Sequence, residues 1–150
     1  MFTCREFAET DAECALNLAR SCPPLDVHTP YTYWVVSRYY GDTCYLIEDD
    51  GDPVGYLLAI PKGATLFLWQ LGIVESHRGK GLTALLFDAL ASSAKGMFDA
   101  VELTISPGNG ASYGALASWC RSHQLAIERL NPIVVPEHEE PGEILYRIRL

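Results

Sequence analysis

One stretch near the middle of the chain, residues 65–90 (TLFLWQLGIVESHRGKGLTALLFDAL), constrains the fold more than any other. An apolar run at residues 66–74 is followed by the short polar loop of residues 78–81, RGKG. After this loop, apolar residues recur with the i, i+3, i+4, i+7, i+8 spacing of a buried helix face, at Leu82, Leu85, Leu86, Ala89 and Leu90. The stretch therefore predicts a strand, a glycine loop and a helix.

The glycine loop predicts a binding site for an anion. The first N–H groups of the following helix have no acceptor within the helix, and they lie at the positive end of its dipole. Gly79 and Gly81 would let a phosphate approach these groups closely. The order of Lys80 and Gly81 does not fit the P-loop pattern, and the dinucleotide pattern G-x-G-x-x-G is missing from the sequence here. An ordinary strand-to-helix turn is the alternative.

The composition limits the number of domains, the location and the partners that the chain can have. The chain of 150 residues, 49% hydrophobic, is long enough for one globular domain over residues 1–150 with a sizeable core. Its five cysteines are scattered and never in C-x-x-C spacing, which predicts reduced thiols and a cytoplasmic location. The start, MFTCREFAE, does not look like a leader, and no apolar run reaches the roughly 18 residues of a membrane helix. The net charge of −8 argues against a nucleic-acid partner, and it suits either solubility or a cationic substrate.

The rest of the pattern predicts the element order β-α-α-β-β-β-α-β-α-β-β. The first strand covers residues 2–7, and Thr10 with Glu13 predicts a capping box for the first helix, which Cys22-Pro23-Pro24 would end. The other predicted elements are a helix over residues 31–40 that ends near Gly41, hairpin strands at 43–48 and 54–60, the strand, loop and helix described above, a strand at 100–106, a helix with Asn109 as its N-cap, and strands at 127–135 and 144–150 around an acidic loop at 136–142.

The sequence RGKGLT after a strand resembles the pyrophosphate loop of the GNAT superfamily of acetyl-CoA-dependent N-acetyltransferases. Arg78 and Gly81 match the family pattern Q/R-x-x-G-x-G/A, whereas Thr83 stands where Gly or Ala is usual. The predicted element order is also the GNAT order. The resemblance implies an α/β (α+β) GNAT fold, with a mixed, mostly antiparallel sheet of six to seven strands and about four helices. It implies acetyl-CoA as co-substrate; we expect no metal, because the four histidines lack ligand spacing with the cysteines.

Within the superfamily, the chain is similar to the diaminobutyrate acetyltransferases of ectoine biosynthesis. The matching pieces, in the same order, are LDVHTPYTY, DTCYLIE, LFLWQLGIV, RGKGL, ELTISPGNGAS and LYRI. His28, where those enzymes tend to have Asn, and residues 37–40 depart from them in the segment expected to line the acceptor pocket. The resemblance implies acetylation of a primary amine of a small diamino acid, L-2,4-diaminobutyrate first, by direct attack on the thioester. Acetylation of another amine, including a peptide N-terminus, and a non-catalytic CoA-binding module are the alternatives.

Direct attack requires a neutral amine, and an amine with a lysine-like pKa is neutral in only about one molecule in 2,500 at pH 7. A base must take the proton, and we predict Glu102, on the polar face of the strand beside the cofactor-binding strand. Asp26 and Glu75 are further candidates, and a solvated or salt-bridged carboxylate is the structural alternative for Glu102. The usual GNAT tyrosine that protonates the thiolate falls at Leu116 here. We predict Tyr113, one helical turn earlier, in its place; a packing tyrosine, with protonation by water, is the alternative.

The resemblance assigns cofactor binding to the end of the fourth strand and the loop after it. Backbone N–H groups around residues 71–73 would bind the oxyanion at a β-bulge, which Gly72 supports. The full predicted cofactor-binding set is Leu71, Ile73, Val74, Arg78, Gly79, Lys80, Gly81, Leu82, Thr83 and Asn109. For the acceptor we predict Asp26 as the anion for one ammonium group and Trp69 as an apolar or cation–π wall, with an N-cap and core packing as their alternatives. Members of the family often form homodimers, and strand edges near the C-terminus would permit one.

Overall fold

The computed structural model describes residues 1–133 and 142–150. Its elements in chain order are β1 (Phe2–Glu6), α1 (Ala12–Arg20), α2 (Pro30–Tyr39), β2 (Tyr45–Asp49), β3 (Asp52–Lys62), β4 (Thr65–Ile73), α3 (Leu82–Ala94), β5 (Ala100–Ile105), α4 (Gly110–Ser122), β6 (Ile127–Pro132) and β7 (Ile144–Arg149). In these residues the strands form one sheet in the order β1-β2-β3-β4-β5-β7-β6, in which β4 and β5 are parallel and the other pairs antiparallel. The predicted fold class is therefore confirmed.

Helices cover both faces of this sheet, because alternate residues of β3 point to opposite sides. Leu57 and Ala59 belong to a core cluster with residues of α3 and α4, whereas Tyr56 and Leu58 belong to a second cluster with residues of α1 and α2. No helix among the described residues is long and apolar enough to cross a bilayer.

The predicted capping box at the start of α1 is wrong. Asp11, and not Thr10, precedes the first helical residue, and its side chain makes no cap hydrogen bond among the described residues. The Asp11 carboxylate instead accepts hydrogen bonds from the Arg5 guanidinium at 2.8 Å and from the Ala8 N–H at 2.6 Å. An ion pair to β1 has thus replaced the local cap. The predicted cap at Asn109 is confirmed, since its side chain accepts from the Ser112 N–H at 3.1 Å.

Other predicted bounds agree with the structure to within a few residues. Residues 134–135 of the predicted strand 127–135, residues 136–141 of the predicted acidic loop, and His138 lie outside the described residues.

The β-bulge of β4 lies at Trp69. Ala59 of β3 pairs with Leu68, whereas the preceding Leu58 pairs with Gln70, so Trp69 is the extra residue. In the described part of the chain, β5 pairs with β4 only from Thr65 to Leu68. The two parallel strands therefore part at the bulge and leave a gap between them.

The predicted bulge at residues 71–73 is wrong, because these residues pair with β3 in regular register. Gly72 has a different role, which is close packing. A Cβ at this position would lie 2.9 Å from Leu25 Cδ1, 3.0 Å from Tyr56 Cε1 and 3.2 Å from Cys22 Sγ. The glycine lets the segment after α1 lie directly on β4.

Candidate active site

The predicted anion loop lies open at the start of α3. Gly79 and Gly81 have φ values of +76° and +77°, a left-handed conformation that L side chains rarely adopt. A Cβ at either glycine would have no described atom within 4 Å. Among the described residues, no side chain caps α3, and the Leu85 N–H is the donor to the Gly81 carbonyl at 3.3 Å. The N–H groups of the first turn before Leu85 are therefore available to an anion.

Side chains around the loop fix its path and add positive charge. The Arg78 Nε donates to the Ile73 carbonyl at 3.2 Å, which ties the loop to the end of β4. Lys80 is exposed beside Gly79 and Gly81, and Thr83 is half-buried in the first turn of α3. The structure thus brings the predicted residues 78–83 together around one helix N-terminus, a surface that suits a phosphate group.

Backbone groups of β4 face the gap between β4 and β5. The Val74 N–H donates to the Val54 carbonyl at 3.0 Å, so Gly72 and Val74 direct their backbone groups towards β3. Backbone groups alternate along a strand, and those of Leu71 and Ile73 therefore point the other way, to the edge that β5 has left. The hydrogen bond from Arg78 to the Ile73 carbonyl agrees with this direction. Leu71 and Ile73 thus offer N–H donors along the gap, although the bulge lies elsewhere.

Asn109 and Tyr113 line a groove at the C-terminal end of β5, with the lining residues Ile105, Ser106, Pro107 and Tyr146 among others. The Tyr113 ring is 41% exposed, and its centroid lies 5.3 Å from that of Tyr146. Leu116, where the family tyrosine would be, is only 2% exposed and belongs to the core. Tyr113 therefore combines a packed ring with an accessible position, whereas Leu116 is purely structural.

Glu102 lies in the part of the sheet where β4 and β5 still pair. It is directly opposite Phe67 of β4, two residues before the bulge. Its Oε2 accepts hydrogen bonds from Arg147 of β7, at 2.7 Å from Nη2 and 2.8 Å from Nε. Both donors bind the carboxylate that was predicted to accept a proton. The geometry is that of the salt-bridged alternative, and the role of Glu102 as base stays a prediction.

The predicted acceptor residues Asp26 and Trp69 are linked through a buried amide. The Gln70 side chain, next to Trp69, is 6% exposed, and its Nε2 donates to the Asp26 backbone carbonyl at 2.5 Å. Its Oε1 accepts from the hydroxyls of Tyr56 at 2.8 Å and Tyr33 at 3.2 Å. One side chain therefore joins β4 to β3, to α2 and to the segment that carries Asp26. The Asp26 residue itself is exposed.

The Tyr56 hydroxyl at Gln70 keeps its proton. Burial raises the pKa of Tyr56, and the nearby Tyr33 raises it further. Tyr56 therefore acts as a donor to Gln70 at neutral pH. The sequence carried one signal for this network, a glutamine inside an apolar strand, but its partners come from three other segments.

The His28 ring lies beside the rings of Trp69 and Tyr33. Its ring centroid lies 4.8 Å from that of Trp69 at an interplanar angle of 40°, and 6.1 Å from that of Tyr33. Its backbone N–H donates to the Tyr33 hydroxyl at 3.3 Å. In the described residues, no group of three or more His, Cys, Asp or Glu side chains is placed to hold a metal ion.

Comparisons with known sequences show the family to which this chain is similar. The profile described as the acetyltransferase (GNAT) family matches residues 12–120. The L-2,4-diaminobutyric acid acetyltransferase of Streptomyces anulatus is 31% identical over 147 residues, which are 92% of this chain and 84% of that protein. That of Shouchella clausii is 36% identical over 118 residues, 76% of this chain and 66% of that protein.

Among solved structures, acetyltransferases have a fold similar to that of this chain. The diaminobutyrate acetyltransferase EctA from Paenibacillus lautus, in complex with its substrate L-2,4-diaminobutyric acid and coenzyme A, has a TM-score of 0.87 at 26% identity, covering 99% of this chain and 95% of that one. The ribosomal-protein-S18-alanine N-acetyltransferase from Escherichia coli has a TM-score of 0.78 at 14% identity, covering 100% of this chain and 93% of that one, which shows the fold alone.

Proposed function

This chain belongs to the acetyltransferase (GNAT) family, and from that membership we propose that it transfers the acetyl group of acetyl-CoA to an amino group of L-2,4-diaminobutyrate. The observation that carries the proposal is the likeness to the Paenibacillus lautus enzyme, which extends over 99% of the chain and whose structure holds diaminobutyrate and coenzyme A. The open anion loop and the gap between β4 and β5 support it independently, because they provide the surfaces that a nucleotide thioester needs.

We propose that acetyl-CoA lies along the gap with its diphosphate at the start of α3. The free N–H groups near Gly79 and Gly81 would bind phosphate oxygens, and Lys80 would add charge. The backbone N–H groups of Leu71 and Ile73 would hydrogen-bond the acyl end and stabilise the oxyanion that forms at the thioester carbonyl. Val74, Leu82, Thr83 and Asn109 complete the predicted cofactor surface.

We propose that the diamine binds between Asp26 and Trp69. The Asp26 carboxylate would pair with one ammonium group, while the indole of Trp69 would exclude water from the reacting amine. Gln70 would hold the Asp26 segment in place through its 2.5 Å hydrogen bond to the Asp26 carbonyl. Tyr113 stays the predicted proton donor to the departing thiolate.

An acceptor screen tests the proposed function. Release of CoA thiol from acetyl-CoA is measured with diaminobutyrate, ornithine, lysine and a generic peptide, and we expect kcat/KM for diaminobutyrate to exceed the others at least tenfold. Preferred turnover of another amine would replace the substrate and keep the reaction. Binding of CoA without turnover of any amine would favour the non-catalytic module.

We also propose a cytoplasmic location, which the five free cysteines support, and an assembly as a homodimer. Strand β6 ends the sheet on one side in the described part of the chain, so an edge is available for pairing. Light scattering of the purified protein tests the dimer. A nucleic-acid partner is not expected at a net charge of −8. Residues 1–150 as one domain and a place in ectoine biosynthesis stay predictions.

A further inference from the structure

A short turn connects β4 to the anion loop, and a histidine side chain ties this turn to the end of another strand. The turn, Glu75–His77, is a single 3-10 turn that ends directly before Arg78. The His77 Nε2 lies 3.0 Å from the Asp49 Oδ2, at the end of β2. The Ser76 Oγ lies 2.8 Å from the His77 Nδ1, so both ring nitrogens have a partner. These two contacts fix the imidazole at the start of the anion loop.

Backbone and ring contacts hold the same turn. The His77 N–H donates to the Val74 carbonyl at 2.9 Å, and the Arg78 N–H donates to the Glu75 carbonyl at 3.2 Å. The Phe2 ring of β1 meets the imidazole edge-on, with the ring centroids 6.2 Å apart at an interplanar angle of 76°. The His77 side chain is only 19% exposed. The imidazole is thus held between β1, β2 and the loop whose N–H groups face the proposed diphosphate.

The charge around this turn is unfavourable to an anion while the imidazole is neutral. Asp49 and Asp50 lie beside the ring, Glu75 belongs to the turn, and the whole chain has a net charge of −8. The hydrogen bond from His77 lowers the pKa of Asp49, which desolvation only partly offsets, so this carboxylate is ionised at neutral pH. A diphosphate bound nearby is repelled by such carboxylates. Protonation of the imidazole would neutralise the pair and reduce this repulsion.

The other ionisable groups around the imidazole are of types that keep their charge near neutrality. They are the carboxyl groups of Asp49, Asp50 and Glu75, the cations Arg78 and Lys80, and the Met1 amino group. Ordinary carboxyl groups titrate near pH 4, and lysine and arginine side chains above about pH 10. The Met1 amino group donates to Asp50 at 2.8 Å, and this hydrogen bond raises its pKa. An unperturbed imidazole titrates near pH 6.5, so His77 is the residue type here that changes charge near neutrality.

We propose that His77 is a positioning residue for the bound diphosphate and that, through its pair with Asp49, it makes the affinity for CoA depend on pH; this role rests on the proposed function. Both forms of the ring keep the contacts to Ser76 and Asp49, because the neutral ring accepts from the Ser76 hydroxyl and the protonated ring donates to it. Only the protonated form neutralises Asp49. Diphosphate binding and protonation of the ring therefore favour one another. The added affinity is present at acidic pH and is lost as the pH rises through the range near 6.5 in which imidazoles titrate.

The test is calorimetric titration of the full chain with dephospho-CoA from about pH 5.5 to about pH 7.5 at constant ionic strength, a range centred on imidazole titration. This probe keeps the diphosphate but lacks the 3′-phosphate, a monoester that itself titrates near pH 6. We expect the Kd of the unaltered protein to rise about two- to fivefold over this range, the scale of a partly exposed ion pair. Titrations in two buffers of different ionisation enthalpy should also show proton uptake on binding.

His77→Gln is the test variant, because its amide can still donate to Asp49 but cannot take up a proton. We expect a Kd that is constant over the same pH range, without proton uptake. His123→Gln is the matched control. His123 forms the same kind of pair, with its Nε2 3.1 Å from the Asp88 Oδ1, but it follows α4 and not β4. This control should keep the pH dependence of the unaltered protein.

The outcomes separate the inference from the proposed function. A constant Kd without proton uptake in the unaltered protein overturns the role of His77, and this result needs no variant. A His77→Gln protein that keeps the pH dependence overturns it as well, and both results leave the proposed acetyl transfer intact. An unaltered protein that binds neither dephospho-CoA nor CoA overturns the proposed function, and the inference fails with it. A pH dependence that His123→Gln keeps and His77→Gln loses supports the inference.

Discussion

Replacing Gln70 by leucine tests the network that holds the acceptor side of the site. The change keeps the size of the side chain nearly the same but makes it apolar, so it removes the acceptor of two tyrosine hydroxyls and the donor to the Asp26 carbonyl. Tyr33 and Tyr56 are fully buried, so their hydroxyls cannot turn to water, whereas Asp26 is exposed and its carbonyl can be solvated.

The magnitude follows from these exposures. A buried polar group that loses its partner costs about 1–3 kcal/mol, so two hydroxyls would cost about 2–6 kcal/mol. The two hydroxyls are close enough to interact with one another, which places the expected loss of unfolding free energy in the lower half, at about 2–4 kcal/mol. For a chain of this size, that corresponds to a fall in melting temperature of about 4–16 °C.

Urea unfolding of Gln70→Leu, Tyr56→Phe and the double variant measures the effect. Because both changes act on one hydrogen bond, the double variant should lose less than the sum of the single losses. In the CoA-release assay, Gln70→Leu should raise KM for diaminobutyrate while the affinity for CoA is kept, since Gln70 orders the Asp26 segment and not the anion loop. A Gln70→Leu protein within about 0.5 kcal/mol of the parent, with an unchanged KM, would refute this reasoning.

Three other changes follow from the structure. Gly81→Ala should weaken CoA binding at least tenfold, because a Cβ at φ +77° is strained and would occupy the open space proposed for the phosphate. Calorimetry measures the affinity. Ser37→Ala should raise the unfolding free energy by up to about 1 kcal/mol, since the buried Ser37 hydroxyl has no partner among the described residues. Burial raises the pKa of Asp11, but hydrogen bonds from Arg5 and the Ala8 N–H outweigh it and hold the pKa below its usual range. Asp11 therefore stabilises the fold above its unfolded pKa near 3.9 and ceases to do so as the pH falls through the folded value, so the loss in Asp11→Asn should be full at pH 7 and vanish in acid.

Each of these three predictions has a control or an outcome that would contradict it. Gly96 has φ +82° and lies after α3, so Gly96→Ala carries the same backbone strain and should leave CoA affinity unchanged. Equal affinities of the Gly81 and Gly96 variants would show that the loop is not the anion site. A loss of more than about 1 kcal/mol in Ser37→Ala would reveal a hydrogen bond to that hydroxyl. A difference between Asp11→Asn and the parent that is constant from pH 7 to pH 2 would remove the ion pair as its cause.

Local patterns predicted the parts of the fold that depend on near neighbours. The strand, glycine loop and helix of residues 65–90 follow from the periodicity of their own residues, and the cap at Asn109 needs only the N–H of Ser112. The prediction of a capping box at Thr10 was wrong because Asp11 precedes the helix and binds Arg5 of β1. The predicted position of the bulge was also wrong, since it depends on how β3 pairs with the residues on either side of Trp69, and the sequence of β4 alone does not contain this information.

In the candidate site, too, the sequence predicted the local features and missed the long-range contacts. The loop residues were predicted because one short motif carries them. The polar face of β5 was predicted correctly for Glu102, but its partner Arg147 lies 45 residues further along the chain. Gln70 was visible as a polar residue in an apolar strand, yet the hydroxyls of Tyr33 and Tyr56 that satisfy it come from α2 and β3. Long-range contacts of this kind leave no periodic trace in a single sequence.

The most direct test of the central claim is a single reaction. Purified protein is given acetyl-CoA and L-2,4-diaminobutyrate, CoA thiol release is followed, and the product is identified by mass spectrometry. We predict saturable thiol release with monoacetylated diaminobutyrate formed in equal amount. Protein that binds CoA but forms no acetylated diaminobutyrate, while it acetylates a different amine or none, would contradict the account.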